Sequence, residues 1–199
     1  CWGRGVGSAI GIPLNNNDQN FPRATNSLGV GRTAVNISLG YQFACVLLDN
    51  GLVSCWGDGN YGQMGNGNTA ANNPTPTPTN SFGANRTVVS IASGYDHTCV
   101  ILDNGSVACW GSNSYGALGR GNFGGWSSTP ELTNSLGPNR TAVYISAGYQ
   151  STCVVLDNGE AKCWGYNQYG QLGDGTNLDQ SSPTTVLISL ELNVSSIVS

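Results

Sequence analysis

The seven cysteines of this 199-residue sequence recur with one constant step. They form two series, and within each series the residue number rises by 54 from one cysteine to the next. The first series is Cys1, Cys55, Cys109 and Cys163, and the second is Cys45, Cys99 and Cys153. A fixed period of this length indicates tandem repeats, in which every unit folds alike and packs on its neighbours. The chain must therefore fold as an array of one small unit.

The whole sequence follows the same period, because a shift by one period superposes the units without a gap. About 3.7 units are present: a partial unit at 1–32, repeats at 33–86, 87–140 and 141–194, and the start of another unit at 195–199. Both ends fall inside a unit, so we expect the sequence to be a window on a longer protein. A competing interpretation makes Cys1 the first residue of a mature lipoprotein, but the repeat register already accounts for this cysteine.

Each unit has the sequence pattern of β-structure. In the repeat at 87–140, short apolar runs at Val88–Ile91, Thr98–Leu102 and Ser106–Trp110 predict three strands, and Gly and Asn cluster between them as turn formers. A more variable stretch rich in Asn, Pro and Thr follows the third strand. No part of the chain sustains a helical period over the roughly 11 residues that such a signal needs. We therefore predict an all-β fold in which each unit is a small antiparallel blade.

One motif recurs in every complete unit, G-Y-x-H-T-C-x-x-L-D-N-G-x-V-x-C-W-G-x-N-x-Y-G-x-L-G-x-G in its best copy. That copy spans Gly94–Gly121, with equivalents at Gly40–Gly67 and Gly148–Gly175. The motif resembles the regulator of chromosome condensation repeat, and among such proteins it looks most like the secreted prokaryotic kind, which carries two cysteines per repeat. The resemblance implies a β-propeller. Because such propellers close with about seven blades, we expect part of a longer propeller or an open repeat assembly.

The cysteine spacing also predicts disulfides. If Asp103-Asn104-Gly105 forms a three-residue hairpin loop, Cys99 lies directly opposite Cys109 at a separation that a disulfide accepts. The same register gives the pairs Cys45–Cys55, Cys99–Cys109 and Cys153–Cys163. Spacing of this kind with a single His in the chain argues against a zinc site. Three disulfides predict an oxidising compartment, so we expect the protein outside the cell or at the cell surface.

Five Asn-x-Ser/Thr sequons are candidate glycosylation sites: Asn36, Asn85, Asn104, Asn139 and Asn193. An Asn- and Thr-rich composition also makes sequons by accident, and Asn36 and Asn104 have no counterparts one period away. Asn85, Asn139 and Asn193 are each one period apart, and each precedes the first strand of a unit. If these three are modified, the sugars lie at regular intervals along one rim of the array.

The sequence offers no candidate catalytic residues, metal ligands or cofactor site. His97 follows Asp96 directly, and adjacent strand residues point to opposite faces, so they cannot form a base–acid pair. Residues 57–62 match G-x-G-x-x-G, but no helix follows. Residues 174–179 are rich in oxygen ligands without the spacing of a known calcium loop. We therefore expect that the protein is not an enzyme.

Tryptophan falls into two classes. Trp56, Trp110 and Trp164 end the third strand of successive units beside a cysteine, which favours a core role over a sugar-binding platform. Trp126 breaks the period in a variable loop and is the candidate for an exposed contact residue. We interpret Tyr61, Tyr115 and Tyr169, each followed by Gly, as packing residues of the repeat.

Charge narrows the candidate functions. Seven Lys+Arg and 11 Asp+Glu give a net charge of -4 without a basic stripe, which argues against nucleic acid as a partner. No apolar run of about 20 residues predicts membrane insertion. Our first hypothesis is an extracellular structural or surface-display component, such as a filament, sheath or adhesin, with protein partners or copies of itself. The alternative is a secreted binding module that engages a protein partner through loops on one rim.

Overall fold

The computed structural model describes residues 24–187 together with Gly11 and Phe21. Cys1, Trp2, Asn193 and the segment 195–199 lie outside the described residues. Within them the fold is all-β: twelve strands form three four-stranded antiparallel sheets. In chain order the strands are β1 (Ala34–Leu39), β2 (Phe43–Leu48), β3 (Val53–Gly57), β4 (Asn73–Pro78), β5 (Val88–Ser93), β6 (His97–Leu102), β7 (Val107–Ser112), β8 (Trp126–Leu132), β9 (Ala142–Ala147), β10 (Ser151–Leu156), β11 (Ala161–Gly165) and β12 (Gln180–Thr185).

Each sheet is a simple meander in which consecutive strands pair. The sheets are β1-β2-β3-β4, β5-β6-β7-β8 and β9-β10-β11-β12, and we call them blades one, two and three. The first strands of neighbouring blades contact each other, β1 with β5 and β5 with β9. The second strand of each blade also contacts the first strand of the next. This arrangement, with first strands innermost, is that of propeller blades.

The fourth strand of each blade was not predicted from the sequence. In blade one it reads Asn-Pro-Thr-Pro-Thr-Pro and pairs with β3 through an irregular register. Proline removes a backbone N–H, so it is tolerated mainly on an edge strand, where half of the N–H groups have no neighbour. The outer position of β4 in the sheet explains why a proline-rich stretch forms a strand.

The central hairpin of every blade has the register that the cysteine spacing predicts. Cys45 lies opposite Cys55, Cys99 opposite Cys109 and Cys153 opposite Cys163, and each pair forms a disulfide. The Asp-Asn-Gly loop ends on a glycine with positive φ, for example Gly105 at 76°. Glycine adopts this left-handed conformation at no steric cost.

A tryptophan from each blade packs against the preceding blade. The Trp110 indole N–H donates a 2.8 Å hydrogen bond to the Gln63 carbonyl, and Trp164 donates an equivalent 2.8 Å bond to the Ala117 carbonyl. Both indoles are fully buried. Trp110 belongs to the same core cluster as the Cys45–Cys55 disulfide of blade one. The structure thus confirms the predicted core role of the periodic tryptophans.

A glycine two residues beyond the accepting carbonyl gives the indole its space. A Cβ atom on Gly65 would lie 2.9 Å from Trp110 Nε1, and one on Gly119 would lie 2.8 Å from Trp164 Nε1. Gly11 stands in the same relation to Trp56, at 2.9 Å. The partial unit at the start of the chain therefore supplies the same contact to blade one.

Replacing Trp110 with Phe should lower the free energy of unfolding by about 2–4 kcal/mol. The variant leaves the buried Gln63 carbonyl without its donor and creates a cavity at the blade interface. Chemical denaturation monitored by circular dichroism measures the loss. The matched control is Trp126→Phe at a 57% exposed position, for which we expect a change below about 0.5 kcal/mol. Equal losses in the two variants would contradict the proposed role of the indole N–H.

Candidate binding face

The two ends of each blade carry different connections. In a four-stranded meander, the loop between strands one and two and the connection between strands three and four lie at one end. The central hairpin turn and the connection to the next blade lie at the other end. We call the first end the tyrosine face and the second the turn face. All the loops of one face are brought together by the side-by-side packing of the blades.

A row of tyrosines crosses the tyrosine face, one from each blade. Tyr41, Tyr95 and Tyr149 occupy the same position in the loop between strands one and two. The rings of Tyr41 and Tyr95 are stacked with centroids 4.3 Å apart, and those of Tyr95 and Tyr149 are tilted at 4.8 Å. Backbone hydrogen bonds set this spacing, because Tyr41 N donates to Tyr95 O at 3.0 Å and Tyr95 N to Tyr149 O at 2.9 Å.

Tyrosines from the longer connections extend the row. The Tyr166 ring lies 6.4 Å from Tyr149, 4.8 Å from Tyr115 and 6.0 Å from Tyr169. Tyr169 is 85% exposed in the last described blade, and the interpretation of Tyr61, Tyr115 and Tyr169 as packing residues stays a prediction. The face holds six tyrosines in ring contact: Tyr41, Tyr95, Tyr115, Tyr149, Tyr166 and Tyr169. The row of Tyr41, Tyr95 and Tyr149 was not predicted from the sequence, although these three residues recur with the repeat period.

Carboxylates accompany the tyrosines. Asp96 follows Tyr95, and its Oδ1 accepts a 3.3 Å hydrogen bond from Gln63 Nε2 of the preceding blade. Partial burial raises the pKa of Asp96, the Gln63 hydrogen bond lowers it, and the negative charge of Asp58 raises it further. Asp179 lies at the other end of the row, where its Oδ1 accepts a 2.7 Å bond from Asn167 N.

Every described cation has an ion-pair or hydrogen-bond partner. On the turn face, one ion pair recurs in each unit, Arg32–Asp49 at 3.5 Å, Arg86–Asp103 at 3.1 Å and Arg140–Asp157 at 3.5 Å. Arg120, in the connection between β7 and β8, pairs with Glu131 of β8, and Lys162 Nζ of β11 donates to Thr185 Oγ1 of β12 at 3.0 Å. Over residues 24–187, the one cation in a tyrosine-face connection, Arg120, is therefore neutralised by Glu131, and the other cations lie on the turn face or on β11.

The described sequon asparagines are all exposed. Asn85 and Asn139 lie in the connections between blades with left-handed φ values of 58° and 55°, a conformation that Asn adopts more readily than most residues. Asn104 lies in a hairpin turn, so these three belong to the turn face. Asn36 lies on β1. The remaining candidate contact residue, Trp126, is exposed at the start of β8, on the tyrosine-face end of its blade.

His97 has a structural setting. It is fully buried between blades two and three, where its Nε2 lies 2.9 Å from Thr152 Oγ1. Its Nδ1 has no hydrogen-bond partner among the described residues. Burial lowers the pKa of His97 to about 4. The imidazole is therefore neutral at physiological pH.

The oxygen-rich segment that begins at Asp174 forms a turn. Asp174 Oδ1 accepts bonds of 2.9 Å from Thr176 N and Thr176 Oγ1, and its Oδ2 accepts a 2.9 Å bond from Gln180. Within the described part of the chain, no three His, Cys, Asp or Glu residues cluster as a metal site would require. The same residues include no helix long and apolar enough to cross a membrane.

Two sequence profiles of one repeat family match the chain. The profile of the Regulator of chromosome condensation (RCC1) repeat matches residues 50–101, 104–155 and 158–199. A second profile of the same repeat matches 34–63, 88–117 and 142–171. The chain belongs to the RCC1 repeat family. The predicted resemblance of the motif to the RCC1 repeat is thereby confirmed.

Other RCC1-repeat proteins are similar to the chain over most of its length. It is 29% identical over 185 residues to the ultraviolet-B receptor UVR8 of Arabidopsis thaliana, covering 93% of this chain and 41% of the receptor. It is 30% identical over 188 residues to the E3 ubiquitin-protein ligase HERC2 of Homo sapiens, covering 93% of this chain but 4% of the ligase. The chain thus spans less than half of either relative.

Solved structures establish the fold. Yeast RCC1 (Prp20) in its complex with Kap60 superposes with a TM-score of 0.81 at 19% identity, covering 96% of this chain and 44% of that chain. Prp20p of Saccharomyces cerevisiae gives 0.78 at 17% identity, with coverage of 96% and 46%. The three blades are therefore those of an RCC1-type β-propeller.

We expect His97 to make the RCC1 blades sensitive to acid. With a folded pKa of about 4 and an unfolded value near 6.5, the unfolded chain binds the proton more readily. The contribution of the neutral imidazole to the free energy of unfolding is thus fully present above pH 6.5. It is lost as the pH falls toward 4, by on the order of 2–3 kcal/mol. The other repeats carry Phe43 and Ser151 at this position.

His97→Phe and His97→Ser are therefore the matched variants. Urea denaturation between pH 7 and 4 should show less loss of stability with acid in both variants than in the parent chain. Because the aspartates titrate equally in all three proteins, the difference from the parent isolates the imidazole. If the two variants lose stability as steeply as the parent, His97 is not the acid-sensitive group.

Proposed function

We propose that the chain is part of a non-enzymatic RCC1-type propeller that binds a protein partner through its tyrosine face. The observation that carries the proposal is the continuous row of six ring-contacting tyrosines, of which Tyr41, Tyr149 and Tyr169 are more than half exposed. Tyrosine combines a large apolar ring with a polar hydroxyl and is enriched in protein interfaces. Backbone hydrogen bonds between the loops hold the rings in place, which reduces the entropy lost on binding.

Known relatives support protein binding. The solved yeast structures describe RCC1 bound to Kap60 and the binding of Prp20p to Gsp1p and histones. Because the chain matches 4% of HERC2, the ligase activity of that protein is not transferred to this chain.

We place the protein in an oxidising compartment, outside the cell or at its surface. The support is one disulfide per complete repeat, at Cys45–Cys55, Cys99–Cys109 and Cys153–Cys163. From this cysteine usage we infer that the repeats are of the secreted type. A prokaryotic origin stays a prediction.

Site-specific photocrosslinking tests the binding proposal. Benzoylphenylalanine replaces Tyr149 on the tyrosine face and, as the control, Asn104 on the turn face. We expect the Tyr149 variant alone to capture one defined protein from the native extracellular fraction. That protein is then identified and purified, and its affinity for the chain should fall at least tenfold with Tyr149→Ala, because tyrosines in interface centres are common hot spots.

Two results would refute the proposal. One is capture through Asn104 but not Tyr149. The other is an affinity for the purified protein that Tyr149→Ala leaves unchanged.

A second candidate function is an extracellular surface-display or filament component with sugars on one face. The exposure of Asn85, Asn104 and Asn139 on the turn face favours it. Glycans at these positions leave the opposite face free, so display and partner binding are compatible. They also hydrate a surface that has few charges. Asn36 and Asn193 are further candidate acceptors.

We expect native material to carry sugar on at least one of the in-phase asparagines Asn85, Asn139 and Asn193. Intact-mass measurement and glycopeptide mapping of protein isolated from its source give the occupancy of each site. Asn36 and Asn104 serve as the comparison, since they lack the period. Unmodified asparagine at all three in-phase positions would remove the support for a glycan-coated display protein.

A further inference from the structure

The tyrosine face carries carboxylates that no described cation pairs. Asp58, Asp96 and Asp179 accept bonds from neutral groups, and none forms an ion pair with a described cation. The carboxylates on the turn face at Asp49 and Asp103 have arginine partners instead. A partner that binds the tyrosine face must therefore supply positive charge if these carboxylates are to be paired.

The carboxylates lie close enough to the rings to act with them. The pKa of Tyr95 is raised by desolvation, by its hydrogen bond with Tyr41 and by the negative charge of Asp96. The pKa of Tyr166 is raised by desolvation and, among smaller causes, by the charge of Asp179. Asp96 also follows Tyr95 directly in the loop of blade two, so a ligand group on that ring lies next to a carboxylate.

A buried acceptor without a donor lies in the same row. Between blades one and two, Gln63 donates to Asp96. Between blades two and three, the equivalent positions are Ala117 and Gln150, so that donor is missing. Gln150 follows Tyr149 and is 5% exposed, and its Oε1 has no hydrogen-bond partner among the described residues. The Gln63–Asp96 hydrogen bond of one blade interface is thus replaced at the next by an amide oxygen that is not exposed at the surface.

We propose that the tyrosine face recognises arginine side chains presented by an exposed segment of the protein partner. The guanidinium group is planar, always charged and carries only donors. It stacks on aromatic rings and pairs with carboxylates through two parallel bonds. Lysine has a compact and strongly hydrated charge, which stacks less well. This inference rests on the proposed protein-binding function and names the chemistry of the partner.

The eight tyrosines provide a direct readout. The 199-residue chain labelled with 3-fluorotyrosine should give eight ¹⁹F resonances, six from the ring-contacting row and two from Tyr61 and Tyr144, which make none of these ring contacts. Single Tyr→Phe variants assign them. The probes are the peptide acetyl-Gly-Arg-Gly-Arg-Gly-amide, the same peptide with citrulline in place of arginine, and a lysine version. Citrulline keeps the shape of arginine and removes its charge.

We expect the arginine peptide to shift the Tyr95 and Tyr149 resonances in a saturable way, with Tyr144 unchanged. The citrulline peptide should bind at least tenfold more weakly, and the lysine peptide should lie between the two. Asp96→Asn should weaken binding of the arginine peptide about fivefold, since it removes one nearby negative charge. Glu160→Gln is the matched control, because it removes an exposed carboxylate from the turn face and changes the net charge equally.

Each of several results would overturn the inference. These are equal binding of the arginine and citrulline peptides, equal weakening by Asp96→Asn and Glu160→Gln, and no shift with any peptide. Shifts produced by a neutral oligosaccharide such as chitotriose, but not by the arginine peptide, would assign the rings to sugar binding. If the photocrosslinked protein still binds through Tyr149 while the arginine peptide fails, protein binding stands and only the arginine preference is lost.

Discussion

The interface between neighbouring blades depends on a single repeated contact. An indole N–H donates to a carbonyl of the preceding blade, as Trp110 does to Gln63, and a glycine such as Gly65 leaves space for the ring. A buried N–H and carbonyl must find partners, so one geometry of the interface is strongly preferred. The disulfide of the preceding blade belongs to the same core cluster as this ring. The disulfide of one blade is therefore part of the interface with the next.

The position of the tyrosine row follows from that interface. Because every blade docks in the same geometry, residues one period apart meet at a constant spacing. The loops of Tyr41, Tyr95 and Tyr149 are then joined by backbone bonds of 3.0 and 2.9 Å. The rings are therefore aligned before any ligand arrives. A surface built from identical loops of a rigid array needs little reorganisation to bind, which is the physical basis of preorganised recognition.

The repeat period, the three inner strands, the hairpin register and the buried tryptophans could all be predicted, because each depends on a local pattern that recurs. The fourth strand could not, since the Pro-Thr alternation of β4 is acceptable only at a sheet edge. The tyrosine row was missed for a different reason. The row is formed by contacts between blades, and the local sequence around Tyr95 indicates only a turn. His97 Nδ1 and Gln150 Oε1, which have no hydrogen-bond partner among the described residues, likewise depend on what the neighbouring blade supplies.

The two faces also differ in how far their sequences can vary. On the turn face, a Cβ atom on Gly51 would lie 2.6 Å from Thr87, and one on Gly105 would lie 2.3 Å from Thr141. Backbone bonds from Val88 to Gly51 tie the same hairpin turn to the next blade. These contacts constrain the turn face to one repeated sequence. The connections between the third and fourth strands lie mainly at the tyrosine face and differ from unit to unit, so differences in partner specificity can arise there without loss of blade packing.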